Sequence, residues 1–249
     1  MKKVFNVLSN YYDLIYEQKD YAGEAAYIVQ LIKSYSPKAK NLIEFGTGTG
    51  KHAFHFCNSG FTVKGVEPSA EMLKAVKEHH PKLSLQQDSI TSFKSDELFD
   101  VATALFHVIS YLNSNSELIA SFKNVHKHLK NDGLFIFDVW YSAAVLTQIP
   151  EERIKTVQND YIEVIRKAKP INYWNRNVIE VAYDINVLEK ATGKTHNFLE
   201  QHEMRHFSIP EIELLADITG FKLLKAEEFG TAKIPGPDTW GVNFVLRKK

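Results

Sequence analysis

Apolar residues recur at helical spacing in residues 21–35 (Ala25, Ile28, Val29, Leu31, Ile32), and Pro37 closes the stretch, which predicts a helix ahead of the main sheet. Residues 42–45 form a short apolar run that passes straight into Gly46-Thr47-Gly48-Thr49-Gly50, after which Ala53, Phe54 and Phe56 return to helical spacing. This reads as strand, glycine turn, helix. The alternation continues with strand 62–67, helix 70–79, short strand 83–86, strand 99–105, helix 116–129 and strand 134–139. Strands alternating with helices imply a largely parallel sheet covered on both faces. Residues 99–105 are almost continuously apolar, as a strand buried on both sides is, which places them near the sheet centre.

From residue 161 to 207 the texture changes to strand alternation (Ile162, Val164; Val178, Ile179, Val181; Ile185, Val187) with a turn signal at Ala191-Thr192-Gly193-Lys194. This predicts an inserted antiparallel sheet. Helix and strands then return: Ser208 caps a helix with Pro210 in its first turn, Gly220 ends it, and 221–227 and 242–247 are strands. The fold expected is a Rossmann-like, doubly wound α/β sheet, mainly parallel, with the antiparallel insertion over the active site. One domain is expected over residues 1–249: an N-terminal lid and helix (1–40), a cofactor-binding core (41–140), the β-rich insertion (141–207), and a C-terminal helix and strands (208–249).

The 249 residues are 44% apolar and 24% charged, an ordinary folded composition, and 30 basic residues balance 30 acidic ones. The long-range attraction typical of nucleic-acid binders is therefore not expected, and a small acceptor molecule of mixed polarity is. The single cysteine, Cys57, has no partner in the chain, and the opening Met-Lys-Lys-Val-Phe lacks the apolar run of a secretory signal. The best apolar run, 133–141, is interrupted by Asp138 and is short of the roughly 20 residues that span a bilayer. A cytoplasmic location without membrane insertion is predicted. A homodimer is left open.

Residues 44–50 lie where an open parallel sheet binds ligands, at a strand's carboxyl end and a helix N-terminus. Gly46 and Gly48 have no side chain, so backbone N–H groups can approach a ligand there, and Thr47 and Gly50 complete the candidate cofactor loop. Glu67 ends the next strand about 20 residues on, where an acid accepts hydrogen bonds from ribose hydroxyls, and Asp88 follows the third strand within reach of an adenine amine. An adenosine-containing cofactor is implied. Glu67 also suits NAD, but dinucleotide binders use G-x-G-x-x-G, whereas this chain has G-x-G-x-G. Glu44 would repel a pyrophosphate and attract the cationic α-amino group of S-adenosylmethionine. A nicotinamide-dependent oxidoreductase and a non-catalytic cofactor-binding protein stand as alternatives.

The ordered motifs Glu44–Gly50, Glu67-Pro68-Ser69 with Met72, Gln87-Asp88-Ser89 and Phe99-Asp100-Val101 resemble those of class I S-adenosylmethionine-dependent methyltransferases, over roughly residues 10–140. The resemblance implies that the loop glycines hold the methionine part and Glu67 the ribose. It gives Asp88 the adenine amine, makes Pro68, Met72 and Ser89 part of the adenosine site, and lets Leu105, Phe106 and His107 line the transfer cleft. Tyr12-Asp13-Leu14-Ile15-Tyr16 with Lys19-Asp20-Tyr21 resembles the N-terminal signature of nucleotide-amino-sugar N-methyltransferases and glycine N-methyltransferase-like enzymes. In such relatives N-terminal tyrosines close over the methionine end, which would give Tyr16 and Tyr21 that role. The reaction implied is direct attack of an acceptor nitrogen, or oxygen, on the sulfonium methyl, with His107 as base for a hydroxyl acceptor.

His202-Glu203-Met204-Arg205-His206 matches the zinc-protease string H-E-x-x-H, but it ends an alternating stretch, and strand residues four apart are separated by about 13 Å. No metal is expected there, and exposed strand histidines are. His79, His80, His126 and His128 are read as surface groups at helix ends. His107 is read as equally a packed histidine or a catalytic one, and the tyrosines of residues 11–16 also fit an aromatic staple for the first helix.

Overall fold

A computed structural model describes residues 8–80 and 83–249; the opening Met-Lys-Lys-Val-Phe and the His79 side chain lie outside the described part. Five parallel strands form its centre: β1 (Asn41–Phe45), β2 (Thr62–Val66), β3 (Ser84–Gln86), β4 (Phe99–Ala104) and β5 (Leu129–Tyr141), in the order β3-β2-β1-β4-β5. Parallel neighbours need crossovers, and helices α3 (Lys51–Asn58), α4 (Ala70–His79) and α5 (Asn115–His128) supply them. Helix α2 (Tyr21–Tyr35) precedes the sheet, capped by Asp20, whose carboxylate accepts from the Gly23 N–H.

β4 lies at the centre as expected, because both its faces are covered. β5 shows how: Phe135, Phe137 and Val139 enter one core with Phe45, Phe93 and Phe122, while Leu134 and Ile136 enter the other with Ile28, Leu42 and Phe56. Alternation along one strand thus feeds two cores. Phe54, read as part of the buried helix face, points outward at 40% exposure. β5 is longer than the apolar run 134–139, since its first residues continue directly from α5.

Residues 142–207 leave the sheet and return to it. Helix α6 (Ser142–Thr147) leads into an antiparallel meander of β6 (Arg153–Gln158), β7 (Ile162–Tyr173), β8 (Val178–Glu189) and β9 (Thr195–Phe207). Neither α6 nor β6 has a strong periodic signal. β9 rejoins β5 through the pairs Trp140–His206 and Tyr141–Phe207. Then α7 (Ile209–Ile218), capped by Ser208, leads to β10 (Phe221–Glu228), and β11 (Gly241–Lys248) runs antiparallel to both β5 and β10. No described helix is long and apolar enough to cross a membrane.

The histidines need correction. His202 and His206 lie on β9 but are 1% and 3% exposed, because the short helix Val108–Tyr111 and α6 cover that end of the strand. His202 bonds the Tyr111 hydroxyl (3.0 Å) and Glu200 (3.2 Å), and His206 bonds the Ser142 hydroxyl (2.8 Å). Burial, with the Arg205 charge, holds the His206 imidazole down to about 4. His128 is also buried: one ring nitrogen meets the Asn124 carbonyl and the other accepts the Ser95 N–H.

Candidate active site

The carboxyl ends of β1, β2 and β4 meet at the glycine turn. Gly46, Gly48 and Gly50 all have positive φ, a region that L side chains enter only at a cost. Two of them differ in surroundings. A Cβ on Gly46 would come within 2.4 Å of Val108, so this glycine permits close packing, whereas a Cβ on Gly48 would meet nothing within 4 Å. Gly48 therefore presents bare backbone to open space.

Two carboxylates are buried beside this turn. Glu44, 2% exposed, accepts from the Thr47 hydroxyl at 2.5 Å, and Glu67, 5% exposed, accepts from the N–H groups of Gly48 and Ser69, both at 2.9 Å. Neither forms an ion pair among the described residues. Burial pushes the Glu44 carboxyl up to about 7, against the lowering pull of His52 and Thr47. Burial also raises Glu67, outweighing its two backbone donors. A buried acid without a cation is costly, and a ligand bearing an ammonium removes that cost. The open face of Gly48 and the two acids together fit the cationic methionine end and the ribose of S-adenosylmethionine.

The other residues expected around the adenosine are near but less tightly joined. The Gln87 side-chain amide donates to the Pro68 carbonyl (3.3 Å), tying the loops after β3 and β2. Asp88 Oδ1 accepts from the Ser89 N–H (2.8 Å) and the Ser92 hydroxyl (2.5 Å), leaving Oδ2 with only a long contact from Gln86 (3.5 Å). Met72 is buried and Pro68 is exposed at the rim. Leu105 differs from its expected place: at 3% exposure its side chain packs into the core with Ala25, Ile28 and Phe229, under the strand end.

Phe106 and His107 follow β4 with φ of 63° and 64°, a strained conformation for residues with side chains. Asp138 on β5 holds both: its carboxylate accepts the N–H groups of Phe106 (2.7 Å) and His107 (3.2 Å). His107 Nδ1 also lies 2.7 Å from Asp138 Oδ2, a short contact bent away from the ring N–H direction. Burial alone would raise the Asp138 carboxyl, but the imidazole and the two backbone donors hold it below its ordinary value. Asp138 was visible in the sequence only as an interruption of an apolar run. A lone acid inside a buried strand is the signal that finds it.

The N-terminal segment reaches both sides. Asp13 accepts from Thr49 (2.8 Å) and pairs with Lys51 (3.2 Å), while the Tyr21 ring packs edge-on to His52 at 5.0 Å. Tyr16 packs edge-on to Phe106 at 5.2 Å, and its hydroxyl accepts from Arg166 of β7 (3.1 Å). Leu8 and Ile15 bury themselves against Val164, Ile185 and Val187 of the meander. Beside them, Ile179 and Val181 of β8 form a cluster with Val145 of α6, against which Trp140 of β5, Tyr183 of β8 and Trp240 before β11 pack. His107 lies 6.1 Å from Trp140. Of the residues expected from the sequence, Tyr16 thus meets Phe106 beside His107, Thr47 meets Glu44, Gly48 meets Glu67, and Tyr21 meets His52 of the helix after the glycine turn. His52, Asp138, Trp140, Arg166, Tyr183 and Trp240 join them without having been anticipated.

Comparison with known proteins places this geometry. A family described as a methyltransferase domain matches residues 18–226. A dTDP-3-amino-3,4,6-trideoxy-alpha-D-glucopyranose N,N-dimethyltransferase of Streptomyces venezuelae is 27% identical over 214 residues, 85% of this chain and 89% of that protein. A dTDP-3-amino-3,6-dideoxy-alpha-D-glucopyranose N,N-dimethyltransferase of Streptomyces fradiae is 32% identical over 136 residues, 54% of this chain and only 53% of that protein. The structure of a sugar N-methyltransferase from a Streptoalloteichus species superposes with a TM-score of 0.83 at 18% identity, covering 100% of this chain and 96% of that one, a likeness of fold. With the family match running from the N-terminal segment through the glycine turn and the meander into β10, this chain belongs to the methyltransferase-domain family and is a class I S-adenosylmethionine-dependent methyltransferase.

Proposed function

We propose that the chain methylates the amine nitrogen of a small molecule, and that the acceptor class is an amino sugar carried on a nucleotide. The observation that carries this reading is the contact of His107 with Asp138 at the end of β4, where the His107 ring also meets Trp140 and its neighbour Phe106 meets Tyr16. The amino-sugar N,N-dimethyltransferase activities of the Streptomyces relatives support it.

S-adenosylmethionine, when bound, supplies an electrophilic sulfonium methyl, so no covalent intermediate with the protein is needed. Glu44 would hold the cofactor's ammonium, Glu67 its ribose hydroxyls and Asp88 Oδ2 its adenine amine, with the open Cα face of Gly48 against the methionine part. An alkylamine arrives protonated at neutral pH, and its lone pair must be freed before it attacks. His107 would take that proton at Nε2 while Asp138 stabilises the imidazolium and fixes the ring. Tyr16, Tyr21 and Phe106 would exclude water and orient the amine, and orientation alone is worth several kcal/mol, about 7–11 in well-aligned systems. The same pair would deprotonate a hydroxyl, so oxygen methylation is the second reading.

The test is S-adenosylhomocysteine release from a panel of nucleotide-linked amino sugars, simple amines and hydroxylated metabolites, with mass spectrometry locating the added methyl. Methylation of nucleotide-linked amino sugars at nitrogen is expected. Turnover confined to hydroxylated acceptors would replace nitrogen with oxygen, and turnover of simple amines alone would remove the nucleotide.

A further inference from the structure

Four cations stand over the rings of Tyr16, Tyr21 and Phe106, and they fall into two kinds. Lys19 pairs with Glu24 and Lys51 with Asp13, so each of these is neutralised within the chain. Arg166 and Lys155 are not: neither has a carboxylate partner among the described residues, and both are half-buried on the inner face of the meander. They are also direct cross-strand neighbours in the β6–β7 register. Like charges placed opposite one another destabilise a sheet, and the contacts with Tyr16, Tyr183 and the Ile15 carbonyl offset that cost without neutralising either charge.

Arg166 is also held ready. Its guanidinium lies 5.7 Å from the Tyr16 ring and 5.0 Å from the Tyr183 ring, one N–H donates to the Tyr16 hydroxyl, and its Nε is buried without a hydrogen-bond partner. Lys155 Nζ donates to the Ile15 carbonyl at 2.5 Å and keeps further donors free. Burial, and next to it the Arg166 charge, lowers the Lys155 ammonium from its ordinary value. A rigid, desolvated fork beside a point charge is how proteins bind phosphate oxygens. Two adjacent positive charges match a group carrying at least two negative ones better than they match a single carboxylate.

We infer that Arg166 and Lys155 form a phosphate subsite of the acceptor pocket, which receives the diphosphate of a nucleoside diphosphate that carries the amine. This rests on the reading that the acceptor binds between the meander and His107. Tyr16 then has two faces of use: its hydroxyl steadies the anion-binding arginine while its ring packs on Phe106 next to the proposed base. Closure of the N-terminal segment and binding of the phosphate become one event, because Ile15 and Tyr16 supply partners to both cations.

The probe is inorganic pyrophosphate, titrated calorimetrically into protein saturated with S-adenosylhomocysteine, with acetate as the carboxylate control. Wild-type protein should bind pyrophosphate and not acetate. Arg166→Gln and Lys155→Gln should each bind it at least tenfold more weakly, Arg166→Lys should fall between, and affinity for S-adenosylhomocysteine should not move. Absence of pyrophosphate binding in the wild type, equal affinity in the folded Arg166→Gln and Arg166→Lys proteins, or acetate binding as tight as pyrophosphate would each overturn the subsite. Amine assays on the same preparations separate this from the nitrogen-methylation reading. Amines methylated by a protein blind to pyrophosphate would sink the subsite alone, and Arg166-dependent pyrophosphate binding in a protein that methylates only hydroxyls would sink the nitrogen reading alone.

Discussion

The glycine-turn side of the site buries two carboxylates, Glu44 and Glu67, that pair with no cation among the described residues, whereas the meander side holds two cations, Lys155 and Arg166, that pair with no carboxylate among them. The chain as a whole has no net charge, so this separation is invisible in composition. If the two sets met, they would neutralise one another and leave nothing for a ligand to do. The Tyr16–Phe106 contact lies between them. Under the proposed reading the two sides are half-sites, one suited to a cation and the other to an anion, with His107 and Asp138 at the seam.

The largest effect should come from breaking that seam. His107→Ala is expected to lower turnover about 10²–10⁴-fold, the range for loss of a positioned general base, with S-adenosylhomocysteine affinity within about twofold of wild type. Wild-type turnover in a folded His107→Ala protein would reduce the residue to a packing role. Asp138→Ala should combine a similar loss with lower thermal stability, because the strained Phe106–His107 turn loses its acceptor.

Next comes the acidic side. Glu67→Ala should weaken S-adenosylhomocysteine binding by about 1.5–3 kcal/mol, the range for hydrogen bonds to a charged group, while pyrophosphate binding on the other side stays as it was. Isothermal titration of both ligands reads this directly, and a loss of both would mean that the two sides are not separate.

The acidic side should also respond to pH. Glu44 has a carboxyl raised to about 7, so below that pH it is increasingly neutral in the free protein and must release its proton before it can hold an ammonium. Binding is thus favoured above pH 7 and lost as pH falls through 7. Between pH 8 and pH 6 affinity should drop about tenfold, and Glu44→Gln should bind weakly with no such slope. A pH-independent wild type would remove Glu44 from the ammonium site.

The smallest effect is expected at the divider. Tyr16→Phe keeps the ring and removes one neutral-to-charged hydrogen bond, so turnover should fall by about tenfold or less, and Tyr16→Ala, which also opens the contact with Phe106, should fall further. Equal turnover in both variants and wild type would make Tyr16 a staple for the N-terminal segment and nothing more.

How much was legible differs between the two sides. Glu44, Gly46, Gly48, Glu67 and Asp88 could be read because each sits at a strand's carboxyl end a short, regular distance along the chain, and the helical crossover that brings strand ends together is itself a periodic signal. On the other side, alternation in residues 161–207 announced strands but not what would lie over them. His202 and His206 were therefore expected to be exposed, although the Val108–Tyr111 turn and α6 cover them. Asp138 read as a flaw in an apolar strand until Phe106 and His107, thirty-odd residues away, were seen to donate to it.

By itself the amino-acid sequence determined the parallel α/β core, the glycine turn and the acids around it, since these depend on spacings within a few dozen residues and on backbone preferences that act locally. Only the tertiary structure decided the rest: that Leu105 packs beneath the cleft, that Asp138 grips His107, and that Tyr16, Lys155, Arg166 and Tyr183 come together without an acid among them. Those contacts join residues up to 150 positions apart, as between Tyr16 and Arg166. Pairings at that separation are fixed by how the faces of whole elements exclude water together, and no local pattern encodes which face meets which.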